Sequence, residues 1–134
     1  MPRWVAMTTT PSSPDRADWR ILAFGKHPEI AARVQETLRS LGFQAKVLAL
    51  TDDAAGDARL IDELHAASYD GVSIGGFING QDPIQFPASP ETTAWFNRVL
   101  NIIHEHAPPS TKIILARGPD EVAASIERVL GKRP

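Results

Sequence analysis

From Trp19 onward, short continuous apolar runs alternate with segments in which apolar residues recur every three or four positions. The first pattern marks strands buried on both faces and the second marks amphipathic helices. Ile21-Leu22-Ala23-Phe24 is the first such run. Gly25-Lys26-His27 then turns into a helix with Pro28 at its start, where a missing N–H costs nothing. Ile30, Val34, Leu38 and Leu41 fall at helical spacing, and Gly42 supplies a left-handed stop. Phe43, Ala45, Val47 and Ala49 alternate with Gln44, Lys46 and Leu48, which predicts an edge strand with one wetter face. A second helix is predicted over about 57–68, with Leu60, Ile61 and Leu64 inward, followed by the strand Val72-Ser73-Ile74.

Ser89-Pro90-Glu91 predicts the next helix start: a hydroxyl cap, proline in the first turn and an acid beside it. That third predicted helix carries Trp95, Phe96, Val99, Leu100, Ile102 and Ile103, more apolar surface than one sheet face needs. Pro108-Pro109 closes it. Ile113-Ile114-Leu115-Ala116 is predicted as another fully buried strand, and Gly118-Pro119 opens a last helix with Val122, Ile126, Val129 and Leu130 on one face.

Strand–helix alternation with short connections implies a parallel sheet with right-handed crossovers. The expected fold is therefore α/β: one three-layer α/β/α domain over 19–134, with a four-stranded parallel sheet in the flavodoxin-like order 2-1-3-4. Residues 1–18, with Thr8-Thr9-Thr10-Pro11-Ser12-Ser13-Pro14 at their centre, lack periodicity and are expected to form a flexible arm. In such a sheet, ligands bind outside the carboxyl ends of the first and third strands, where the strand order reverses. The segment 75–88 lies there. It is longer than the usual strand-to-helix loop of about 2–6 residues. It holds three Gly, two Pro, four bulky apolar side chains and the run Asn79-Gly80-Gln81-Asp82.

Composition removes many chemistries. A chain of 134 residues with 43% hydrophobic and 22% charged residues fits one globular domain. The net charge of −2 is spread along the chain, so neither a nucleic-acid surface nor an acidic tail is expected. The chain has no cysteine, which excludes disulfides, thiol catalysis and thiolate metal sites. No apolar run is long enough to span a bilayer, and no secretory signal is recognisable, so a cytoplasmic protein without a membrane partner is expected.

The stretch Ile21 to Ile30, with a helix ending Ser40-Leu41-Gly42-Phe43, resembles the opening of response-regulator receiver domains. Tyr69-Asp70-Gly71-Val72-Ser73-Ile74-Gly75 resembles the strand that ends in their phosphoaccepting aspartate. Thr111-Lys112-Ile113-Ile114-Leu115-Ala116, with Asp120-Glu121 beyond, is similar to their fourth strand and the loop after it. The resemblance covers about residues 20–130 and implies a flavodoxin-like fold, but the family's functional positions do not carry over. Gly25 and Lys26 stand where receivers hold Mg²⁺ with two acids, Gly75 stands at the phosphoacceptor position, and Ala116 at the position of the sensing hydroxyl. A fifth strand with its lysine has no counterpart before Pro134. Without hard oxygen ligands or a carboxylate acceptor, a phosphorylation switch is not expected. Cobalamin-binding domains share the layout and a His after the first strand, but Gly25 and Ile30 replace the Asp and Gly that should flank His27.

A dinucleotide site is also disfavoured. Glu29, Glu91 and Asp120-Glu121 occupy helix starts where a pyrophosphate needs uncompensated positive charge. The sequence leans toward a neutral or cationic ligand. His27 and Asp82 are the candidate catalytic residues, because an imidazole titrates where general bases operate and a carboxylate can orient it. Lys26, His27, Gly75, Gly76, Asn79, Asp82 and Arg117 are the candidate ligand-binding set. His27 could equally serve only the helix start, and Asn79 and Asp82 only the turn. Arg117 could grip a ligand carboxylate or tie down Asp82. Asp52 and Asp53 are expected in a solvated loop. His104 and His106 lie on different sides of a helix and His65 stands alone, so no metal site and no cofactor is expected. Ser73 lacks the G-x-S-x-G elbow of a nucleophile.

Two functions compete. One is a domain that binds a small polar ligand in a pocket between the ends of the first and third strands. The other is a non-catalytic pseudo-receiver that forms homodimers through the third predicted helix and the 75–88 loop.

Overall fold

The computed structural model describes residues 18–131, so the arm expected over 1–18 lies, but for Asp18, outside the described residues. The chain runs β1 (Arg20–Gly25), α1 (Pro28–Ser40), β2 (Gln44–Ala49), α2 (Ala54–Ala66), β3 (Gly71–Ile74), α3 (Gly76–Asn79), α4 (Pro90–His106), β4 (Lys112–Leu115) and α5 (Val122–Leu130). All four strands are parallel and their order is β2-β1-β3-β4. This is the α/β arrangement expected from the alternating pattern, consistent with a flavodoxin-like fold.

Two apolar layers flank the sheet. Leu22, Phe24, Val72 and Ile74 pack against α2 and α4 through Leu60, Leu64, Trp95 and Val99. On the other face Ile21, Ala45 and Ile114 pack against α1 and α5 through Leu38, Val122 and Ile126. Alternation along β1 assigns its residues to opposite layers, as a central strand requires. Each fully buried Leu or Ile contributes roughly 1.5–3 kcal/mol relative to exposure.

Local signals set the element ends. Gly42 has φ 99°, the left-handed stop after α1. The Ser89 hydroxyl accepts from Thr92 N, and the Thr92 hydroxyl accepts from Ser89 N, a reciprocal box that starts α4. The helix α2 begins three residues earlier than the pattern suggested. The Asp53 carboxylate caps it by accepting from Gly56 N at 2.8 Å. The Thr51 hydroxyl and Gly56 N–H hold that carboxyl below its ordinary range. Asp52 is engaged too: Arg98 on α4 reaches it at 2.8 Å and grips Asp57 on α2 with Nε at 2.8 Å and Nη2 at 3.1 Å. The expected solvated loop is therefore a capped, clamped helix start.

Other expectations are corrected. The strand β4 is not fully buried but lies at the sheet edge, and Ile113 is 40% exposed because no further strand among the described residues flanks β4. Leu41 is 50% exposed, since α1 has ended before it, and Ala31 takes the inward position instead. A 3₁₀ turn, Pro119–Glu121, precedes α5. His65 does not stand alone: its Nε2 lies 2.9 Å from Nδ1 of His106, where the ends of α2 and α4 meet. No helix among the described residues is long and apolar enough to cross a membrane.

The apolar excess on α4 and the following-strand loop is largely consumed within the chain. Phe77 sits edge-on between Phe24 and Trp95, with ring centroids at 6.4 and 5.2 Å. Phe77, Ile78, Trp95, Val99, Ile102 and Ile103 are all buried. Ile84 is the exception at 91% exposure.

Candidate functional site

A cavity of about 230 Å³ opens at the carboxyl ends of β1 and β3, between the sheet and the α1/α5 layer. Its origin is a row of side chains across the sheet, set by register: Val47, Ala23, Ser73 and Ile114. The two central members are small. A Leu or Ile at either position would fill the space that Ala23 and Ser73 leave beneath Ile30 and Val34 of α1. The next residues, Gly25 and Gly75, carry no side chain at all, so the space continues to the surface.

Ser73 is the polar feature of the deep wall. It is 2% exposed and lines the cavity. Sequence reasoning weighed Ser73 only as a nucleophile and rejected it.

Three connections form the mouth. Lys26 and His27 come from the β1–α1 turn, Gly75 and Gly76 from the start of α3, and Arg117 from the end of β4. Asp82 and Gln85 come from the segment after α3. Six of the seven expected binding residues thus line one cavity. The exception is Asn79, whose side chain is spent on structure: Nδ2 donates to Ile74 O at 2.9 Å and to Ala116 O at 2.8 Å, and Oδ1 accepts from Gln81 N. It holds the ends of β3 and β4 together.

The segment 75–88, expected to be a loop, begins as the one-turn helix α3, ended by Gly80 at φ 83°. Gly76 is required there by close packing: a Cβ on it would fall 1.9 Å from Arg117 O. Backbone thus meets backbone, and the α3 turn is fixed against the β4–α5 connection. Asp82 O accepts from Phe86 N at 2.9 Å, which closes the rest of the segment into a second turn.

The charged groups at the mouth differ in how they are committed. Arg117 pairs with Glu121 at 2.6 Å and so does not tie down Asp82. Asp82 makes only a long contact with Gln85 N, at 3.4 Å. Lys26 has no ion-pair partner among the described residues, and Lys26 and Asp82 do not pair with each other. His27 is the N-cap residue of α1, but its side chain makes no capping bond and remains exposed at the rim. Glu29 is exposed in the first turn of α1 and does not line the cavity.

Gly25 ends β1, Gly75 follows β3 and Ala116 follows β4, so none of these three strand ends carries a carboxylate. Among the described residues no group of three or more His, Cys, Asp or Glu side chains is placed to hold a metal ion. The fold and cavity define an α/β parallel-sheet domain with a small, mostly apolar pocket at the strand-order switch point. No protein-family model and no curated protein matches the chain.

Proposed function

We propose that this chain is a small-molecule-binding domain, without the groups for phosphorylation, whose ligand occupies the cavity between the ends of β1 and β3. The observation that carries the reading is a cavity with the buried Ser73 in its wall and Lys26, His27 and Asp82 at its mouth. A void made by small residues alone would be a packing defect, costing stability. One with a polar side chain in its wall and uncommitted charges outside is suited to an occupant with an apolar body and a polar head. The wall is more apolar than the sequence suggested, so the ligand is amphipathic rather than wholly polar.

Ligand-dependent thermal stabilisation tests this. A broad metabolite panel should contain compounds that raise the melting temperature of the wild type. His27→Ala with Asp82→Ala should lose that response while melting at nearly the same temperature without ligand. A panel that produces no shift with the wild type would remove the support for the reading.

A second reading is a homodimeric interaction module, and Ile84 favours it. This side chain is 91% exposed at the tip of the 75–88 segment, beside the partly buried Phe86. Sedimentation should then detect a concentration-dependent dimer that Ile84→Asp weakens. A monomer at high concentration would leave only the binding reading.

A further inference from the structure

Resting on the binding reading, we infer that the ligand is a zwitterionic α-amino acid with a ring-sized side chain. Three observations combine. First, the mouth carries one cation and one anion that are both uncommitted. Arg117 is held by Glu121, but Lys26 has no partner among the described residues, and Asp82 has only the distant Gln85 N–H. Opposite charges around one opening that do not pair with each other remain available to a ligand that presents both signs. A carboxylate on Lys26 and an ammonium on Asp82 satisfy the two together, as charge-assisted hydrogen bonds.

Second, size limits the body of the ligand. The cavity of about 230 Å³ exceeds the roughly 150 Å³ of an engineered apolar cavity that holds benzene. A benzyl-type side chain therefore fits with room for a small substituent, and a dinucleotide does not. Third, the deep wall is apolar except for Ser73, so a side chain tipped by a hydroxyl finds a partner that a plain hydrocarbon lacks.

Charge also decides against the simpler classes. A monocarboxylic acid would meet Lys26 but leave Asp82 as a nearby like charge. A plain amine would meet Asp82 but oppose Lys26. A phosphate would bring more negative charge to a mouth that already holds Asp82, with Glu29 in the adjoining helix turn. Only the zwitterion uses both.

Calorimetric titration of the full chain with four probes tests the inference: L-phenylalanine, L-tyrosine, 3-phenylpropionate and phenethylamine. Loss of either charged group should weaken binding about tenfold or more relative to phenylalanine. In Asp82→Asn the penalty for losing the ammonium should disappear, and in Lys26→Met the penalty for losing the carboxylate should disappear. Tyrosine should bind more tightly than phenylalanine, and Ser73→Ala should abolish that difference. If phenylpropionate or phenethylamine binds wild type as well as phenylalanine does, the zwitterion is overturned and the pocket still stands as a binding site. If all four fail while other compounds of the metabolite panel bind at Lys26 and His27, the ligand class is wrong. If nothing binds, the binding reading itself fails.

Discussion

The Nδ2 atom of Asn79 lies 2.8 Å from the carbonyl oxygen of Ala116, and its second N–H reaches Ile74 O at 2.9 Å. One amide therefore ties the ends of two neighbouring strands at the edge of the cavity. Asn79→Asp replaces the donor with a carboxylate facing two carbonyl oxygens and should destabilise the fold by about 2–4 kcal/mol. Asn79→Ala only removes the donor and should cost less, about 1–3 kcal/mol. Urea unfolding of the two variants measures the order. Wild-type stability in both variants would show that the amide contributes no net hydrogen bonding there.

Gly76 and Gly25 both border the cavity but should respond oppositely to a methyl group. A Cβ on Gly76 would meet Arg117 O at 1.9 Å, whereas one on Gly25 would meet nothing within 4 Å. Gly76→Ala must displace backbone and should cost more than about 2 kcal/mol. Gly25→Ala should change stability by no more than about 0.5 kcal/mol while narrowing the mouth, so it should weaken ligand binding selectively. Thermal melts with and without ligand separate the two effects.

Glu63 links β2, α2 and the segment before β3. Its carboxylate receives Lys46 Nζ at 2.7 Å and the Tyr69 hydroxyl at 2.6 Å. Burial pushes this carboxyl up, but the hydrogen bonds from Lys46 and Tyr69 outweigh burial and hold it below the ordinary 4.5. The Tyr69 phenol is raised, first by burial and then by the adjacent Glu63. A carboxyl depressed in the folded state stabilises fully above its unfolded value, and that contribution fades as pH falls through the folded value. Wild type should therefore lose stability from about pH 4.5 downward. The difference between wild type and Glu63→Gln, measured by urea at neutral pH, should shrink at about pH 3. A difference that stays constant would contradict the coupling.

Arg98 grips Asp57 with two nitrogens and reaches Asp52 with one of them, so the guanidinium proton is held more firmly than usual. A lysine cannot reproduce that fork. Arg98→Lys should lose most of the clamp and lower stability by about 0.5–1 kcal/mol, the scale of a partly exposed ion pair. High salt should reduce the difference.

Most of the fold was legible in the sequence because its signals are local. Gly42, Ser89-Pro90 and the all-apolar run at Ile21–Phe24 each act through backbone freedom, capping or period. What depended on tertiary pairing was not legible. The exposure of Ile113 follows from the place of β4 at the edge of the sheet formed by the described residues, not from its own neighbours in sequence. The contact of His65 with His106 joins residues 41 apart. At the site, the switch-point rule brought six of seven expected residues to one cavity. Asn79 was missed as a structural amide because its two acceptors belong to different strands. The Ser73 role needed register: only when Ala23 and Ser73 are seen side by side does a row of small residues emerge.

Every binding prediction rests on a ligand occupying the space beneath α1. Amide chemical-shift mapping of the full chain during titration with a compound that raises its melting temperature tests this most directly. Shifts should concentrate at Lys26, His27, Ser73, Gly75 and Gly76, the residues around the cavity. Shifts confined to the far ends of the strands, or to the His65–His106 contact, would contradict it.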